Sequence, residues 1–170
     1  MQMSEQREIK ADPATVYGAL LDPEVLKFCV PGAQEVTGNP DEGYTATVVQ
    51  KVGPVKATFT GQVTMSDMVE NEKLTITGEG KGGAAGFAKG GAVVTLSAIE
   101  GGTLLAYDVE AKVGGKLAQL GSRLIDGFAK KMADEFFTRL VTHLEGPQEP
   151  PEGEPEGEKK GWLGRLTGRS

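Results

Sequence analysis

The chain predicts an α+β domain in which a curved antiparallel sheet wraps around a long C-terminal helix, with two short helices after the first strand. Three observations carry this. Apolar and polar residues alternate through much of residues 33–113, a 3.6-residue apolar stripe replaces the alternation from 116 to 144, and two Asp-Pro pairs precede both.

Met3 to Ile9 is a short mixed run that reads as a polar edge strand. Asp12-Pro13 then starts a helix, with Asp as cap and Pro at the first helical position, and Val16, Tyr17, Leu20 and Leu21 follow at helical spacing. Asp22-Pro23 repeats the signal for a second helix through Val25, Leu26 and Phe28, which Pro31-Gly32 stops. The alternation is cleanest from Val55 to Met65, where Ala57, Phe59, Gly61 and Val63 face one way and Lys56, Thr58, Thr60, Gln62 and Thr64 the other. Similar runs pass through Tyr44–Val48, Leu74–Ile76, Val94–Ala98 and Leu105–Val113, separated by turn signals, so six or seven strands form a meander. Leu117, Leu120, Leu124, Phe128, Met132, Phe136 and Leu140 then share a stripe. It predicts one helix over 116–144, about 43 Å long at 1.5 Å per residue, which must lie across the sheet. Residues 145–158 are Pro/Glu/Gly low complexity and read as a disordered linker, and 159–170 form a basic-aromatic tail.

Composition narrows the function. A net charge of -6 over 170 residues argues against a nucleic-acid partner, because phosphate binding needs a basic face. Residues 1–10 lack the apolar core of a signal peptide, and no stretch reaches the roughly 18 apolar residues of a membrane span. The single cysteine, Cys29, cannot form an internal disulfide and reads as a small buried residue. The chain is expected to be cytoplasmic, with peripheral contact to the inner face of the cell membrane left open.

Catalytic chemistry is hard to find. The lone histidine, His143, falls at the end of the long helix, Asp108 and Glu110 share what should be the wet strand face, and no Cys/His spacing suits zinc. The run from Gly78 to Ala92 lacks the order of a phosphate-binding loop and reads as a flexible hairpin, with Phe87 placed to close a cavity mouth. No enzyme activity and no metal are expected.

The apolar strand face carries many small residues, namely Ala46, Ala57, Gly61, Gly78, Gly80, Ala98 and Ala111. Interiors pack like organic crystals, so small residues opposite a Leu/Phe/Met helix mean either an unfilled apolar space or a helix lying unusually close. On the cavity reading, the candidate ligand-binding residues are Phe59, Gly61, Phe87, Leu117, Leu120, Leu124, Phe128 and Met132.

Three motifs, Val113 to Asp126, Gly80 to Gly90 and Phe28-Cys-Val-Pro-Gly-Ala33, resemble the G-subunit family of carbon monoxide dehydrogenase. The resemblance covers about residues 1 to 144 and implies the helix-grip fold of the START-like (SRPBCC) superfamily, with an apolar cavity between sheet and helix. It also implies an accessory role: attaching a molybdenum hydroxylase of the carbon-monoxide dehydrogenase type, or a related hydroxylase, to the cytoplasmic membrane and supplying it with a quinone. The expected ligand is therefore a non-covalent menaquinone, ubiquinone or similar lipid. In the tail, Trp162, Leu163 and Leu166 offer apolar anchors and Lys159, Lys160 and Arg165 can face anionic lipid, each basic residue contributing about 1 kcal/mol. The other readings are a pure membrane-recruitment adaptor with a filled core and no cavity ligand, and a helix-grip enzyme such as a hydrolase or cyclase.

Overall fold

The computed structural model describes residues 1–145. The linker expected over 145–158 therefore lies outside the described residues except for Glu145, which ends a helix, and the tail residues Lys159, Lys160, Trp162, Leu163, Arg165 and Leu166 lie wholly outside them.

Strand β1 (Gln2–Ile9) is followed by helices α1 (Pro13–Leu21) and α2 (Pro23–Cys29), as the two Asp-Pro pairs predict. The two caps work differently. Asp22 accepts from the Glu24 N–H at 2.9 Å, whereas the Asp12 carboxylate accepts from the Thr15 hydroxyl and caps no backbone group. Six strands then run as a meander: β2 (Ala33–Asn39), β3 (Gly43–Val52), β4 (Val55–Val69), β5 (Lys73–Lys81), β6 (Phe87–Ile99) and β7 (Gly102–Gly114). Each of these pairs antiparallel with the next. β1 adds to β7 at the far edge, so the seven-stranded order is β1-β7-β6-β5-β4-β3-β2.

The glycine-rich run forms a hairpin as expected, and most of it is paired strand. Gly78 and Gly80 lie in β5, Gly90 and Gly91 lie in β6, and only a short 3₁₀ turn at Gly83–Ala85 joins them. Register Lys81↔Phe87 fixes the consequence. Phe87 falls in phase with Lys89 on the outer face, where it is 38% exposed beside Glu79, Lys81 and Lys89, so it closes no cavity.

The single helix expected over 116–144 is two pieces. A 3₁₀ helix, Gly115–Leu120, meets α3 (Ser122–Glu145) at Gly121, whose φ of 90° lies in the left-handed region that favours glycine. Leu117 and Leu120 are three residues apart, a spacing that a 3₁₀ turn and an α-helix share, so periodicity does not separate the two. α3 is thus 24 residues, about 36 Å at 1.5 Å per residue.

The core gathers at one end of the sheet's inner face. Ile9, Val16, Leu20, Cys29, Leu74, Leu96, Leu105, Phe137 and Leu140 are buried together there, drawn from β1, α1, α2, three central strands and the second half of α3. Thr103 is fully buried among them and donates its hydroxyl to Ala11 O at 2.6 Å, which satisfies both groups.

Candidate functional site

Beside this core lies an apolar cavity of about 290 Å³. Leu20 of α1, Leu26 of α2 and Val30 just after it form one wall. Val36, Tyr44, Ala46, Val63, Met65, Ile76, Ala92, Val94, Leu105, Tyr107 and Val109 form the sheet wall, and Ala133, Phe136 and Phe137 of α3 close it. Among the described residues no wall residue is charged. The volume sits at the lower edge of the roughly 300–1,000 Å³ usual for small-molecule sites.

The hydroxyls on this wall, those of Tyr44 and Tyr107, are turned to other partners. Tyr44 donates to Leu21 O at 2.6 Å and Tyr107 to Glu5 Oε1 at 2.9 Å. Burial pushes both phenols above their ordinary value, so both keep their protons. Each presents ring carbon to the cavity.

Behind the Tyr107 wall the aromatic surface is locked in place. Tyr107 and Phe137 stack at 5.1 Å with 7° between planes, and the Arg7 guanidinium lies 4.9 Å above the Phe137 ring. Arg7 also donates to Asp134 at 2.5 Å and to Glu5 at 3.0 Å, and Lys130 donates to Glu5 at 3.0 Å. These charges tie β1 to α3. The Lys130 ammonium first, and the Tyr107 hydroxyl second, hold Glu5 below the usual carboxylate range, and the hydrogen bond from Arg7 does the same for Asp134.

The small-residue rows lie next to the cavity on the same face. Register pairs Ala46↔Gly61↔Gly80↔Ala88 and Val63↔Gly78↔Gly90↔Ala111, so Ala46 and Val63 belong to both features. The helix does not explain the glycines. A Cβ built on Gly61, Gly78 or Gly80 meets only atoms of the sheet, at 3.3 Å or more. Gly90 has a different cause, since a Cβ there would stand 2.1 Å from Glu110 O of the neighbouring strand.

Of the eight candidate ligand-binding residues named from the sequence, none lines the cavity. Gly61 sits in the adjoining row, and the Phe59 ring packs over Gly82 at the end of the sheet. Leu124, Phe128 and Met132 continue the Phe136 stripe toward the N-terminus of α3; Leu124 reaches the β3–β4 turn at Gly53 and is 40% exposed. Leu117 is buried in the 3₁₀ helix, Leu120 ends it, and Phe87 is on the other face. Ala98, expected on the apolar face, is exposed. Sequence reasoning missed the contribution of α1 and α2. The available signal was the apolar surface on and after the Asp-Pro helices, Leu20, Leu26 and Val30, which needs a partner.

Asp108 and Glu110 take the wet face as expected, held by Ser4 and Gln2. Cys29 is fully buried and its thiol is pushed up to about 11 by desolvation. A larger hollow of about 580 Å³ lies on the outer face, but Gln62, Thr64, Thr77, Glu79, Lys89, Glu110 and Lys112 line it, so it lacks the apolar wall of the inner cavity. Among the described residues no helix is long and apolar enough to cross a membrane.

A curved antiparallel sheet gripping a C-terminal helix, with an apolar space between them, defines a helix-grip domain. Solved structures share it. A conserved protein from Geobacillus kaustophilus is 26% identical with a TM-score of 0.79, covering 85% of this chain and 95% of its own. A Chromobacterium violaceum protein (19%, TM-score 0.64, 86% and 98% covered) and a Mycobacterium smegmatis protein (16%, TM-score 0.63, 87% and 93%) share the fold. No curated protein matches the chain. The model of the carbon monoxide dehydrogenase G-subunit (CoxG) family matches residues 6–145, and the chain belongs to that family. Membership associates it with carbon monoxide dehydrogenase.

Proposed function

We propose that this protein is a non-catalytic carrier and adaptor that holds a quinone-class lipid, menaquinone or ubiquinone, and brings a molybdenum-containing carbon monoxide dehydrogenase or a related hydroxylase to the inner face of the cytoplasmic membrane. The observation that carries the reading is the inner cavity, whose lining is apolar and holds no charged residue. Such a space favours a water-insoluble ligand through the apolar area both partners remove from water. Family membership supports the partner. The sequence of the tail supports the membrane contact: Trp162, Leu163 and Leu166 supply apolar anchors, and Lys159, Lys160 and Arg165 attract anionic lipid.

The test is organic extraction and mass spectrometry of full-length protein purified from a quinone-producing host, followed by titration with added quinone. A stoichiometric quinone, or saturable uptake, is the expected result. Protein that arrives empty and takes up none loses the carrier function and retains only recruitment. Removing residues 159–170 is expected to abolish sedimentation with anionic vesicles while leaving quinone uptake unchanged.

A further inference from the structure

Resting on the carrier reading, we infer that the cavity takes the hydrocarbon end of its ligand and leaves the quinone ring outside, over the glycine rows. A quinone carbonyl accepts hydrogen bonds and donates none, so a buried ring needs donors. The cavity has none to give. The Tyr44 proton is committed to Leu21 O and the Tyr107 proton to Glu5, the Val30 N–H donates to Leu26 O at 2.9 Å, and the backbone N–H groups of the other wall residues lie within helices and sheet. Placed inside, both carbonyls would lose their water and gain nothing. A hydrocarbon chain loses nothing there.

The adjoining surface suits the other end of the molecule. Gly61, Gly78 and Gly80 continue the cavity's own sheet wall from Ala46 and Val63, remain partly exposed, and have no helix atom within 4 Å of where a Cβ would stand. A flat ring lying on these glycines keeps its carbonyls hydrated. Volume sets how much chain fits: about 290 Å³, at the roughly 30 Å³ that a small group such as a water occupies in the liquid, holds on the order of ten carbons, or two prenyl units.

The experiment uses the full chain and a series of 1,4-naphthoquinones carrying zero, one, two or three prenyl units. Geraniol, a two-prenyl alcohol without a ring, serves as competitor, and dithionite as a water-borne reductant of bound quinone. The expected result is one site per chain, affinity rising roughly tenfold or more for each of the first two units and then flattening, displacement by geraniol, and bound ring reduced about as fast as free ring. Tight binding of the tail-less quinone, indifference to geraniol and protection from dithionite would place the ring inside and overturn the inference while leaving the carrier reading intact. Failure of every member of the series to bind would overturn both.

Discussion

At one end of the inner sheet face, Leu74, Leu96 and Leu105 are at most 6% exposed beneath α1, α2 and the second half of α3. At the other end, Gly61, Gly78 and Gly80 are partly exposed, and the facing stretch of α3 carries Leu124 at 40% exposure. The same strands run through both ends. One end is filled to the density of a folded interior, and the other is left thin. A protein that only needed stability would continue the large side chains along each strand, so the contrast separates the part of the sheet that holds the fold from a part that contributes little to it.

Truncation on the two halves of α3 tests that contrast most strongly. Leu140→Ala, at a fully buried position, is expected to cost about 2–5 kcal/mol, and Phe128→Ala under about 1.5 kcal/mol, in urea unfolding. Equal losses would erase the distinction. Thr103→Val removes the donor to Ala11 O at the packed end and is expected to cost about 1–3 kcal/mol by the same measurement. The glycines split by cause. Gly90→Ala forces a Cβ against Glu110 O and should destabilise by about 1–3 kcal/mol, whereas Gly80→Ala has room and should stabilise by about 0.5–1 kcal/mol. A destabilising Gly80→Ala would mean the thin end is packed after all.

The smallest effect concerns the charges that tie β1 to α3. Glu5 and Asp134 titrate below their ordinary values of 4.5 and 3.8. Depressed carboxylates lend stability above the unfolded pKa, and that contribution disappears as pH falls through the folded one. Unfolding midpoints of the wild type should therefore drop below about pH 4.5 more steeply than those of a Glu5→Gln/Asp134→Asn double variant. Both groups are solvent-accessible, so screening keeps the difference small and high salt should reduce it further.

The fold was legible because its signals are local. Two Asp-Pro pairs, a period of two and a period of 3.6 each depend on neighbours a few residues apart. The site was less legible: of the seven small strand residues that pointed to an apolar space, only Ala46 lines the cavity, and the rest lie beside it or elsewhere on the sheet. Leu26, Val30 and Phe136 meet Tyr44 and Val109 across the chain, and no spacing reports that meeting. Phe87 shows the sharpest limit. A 3₁₀ turn of three residues sets the phase of β6, and its placement decides which face every residue of that strand occupies. Gly121 shows another, since it falls inside the apolar stripe read as one helix and is in fact the boundary between two.

The pairing of β1 with β7 bears on how the chain assembles. Every other strand contact joins sequence neighbours through a short turn, whereas Gln2 meets Glu110 and Ile9 meets Thr103. The meander can therefore form hairpin by hairpin as it leaves the ribosome, while β1 waits for a partner that emerges about a hundred residues later. Closing that one distant contact costs more loop entropy than any single hairpin and is the natural slow step. Until it closes, the apolar inner face of the sheet is exposed to other chains.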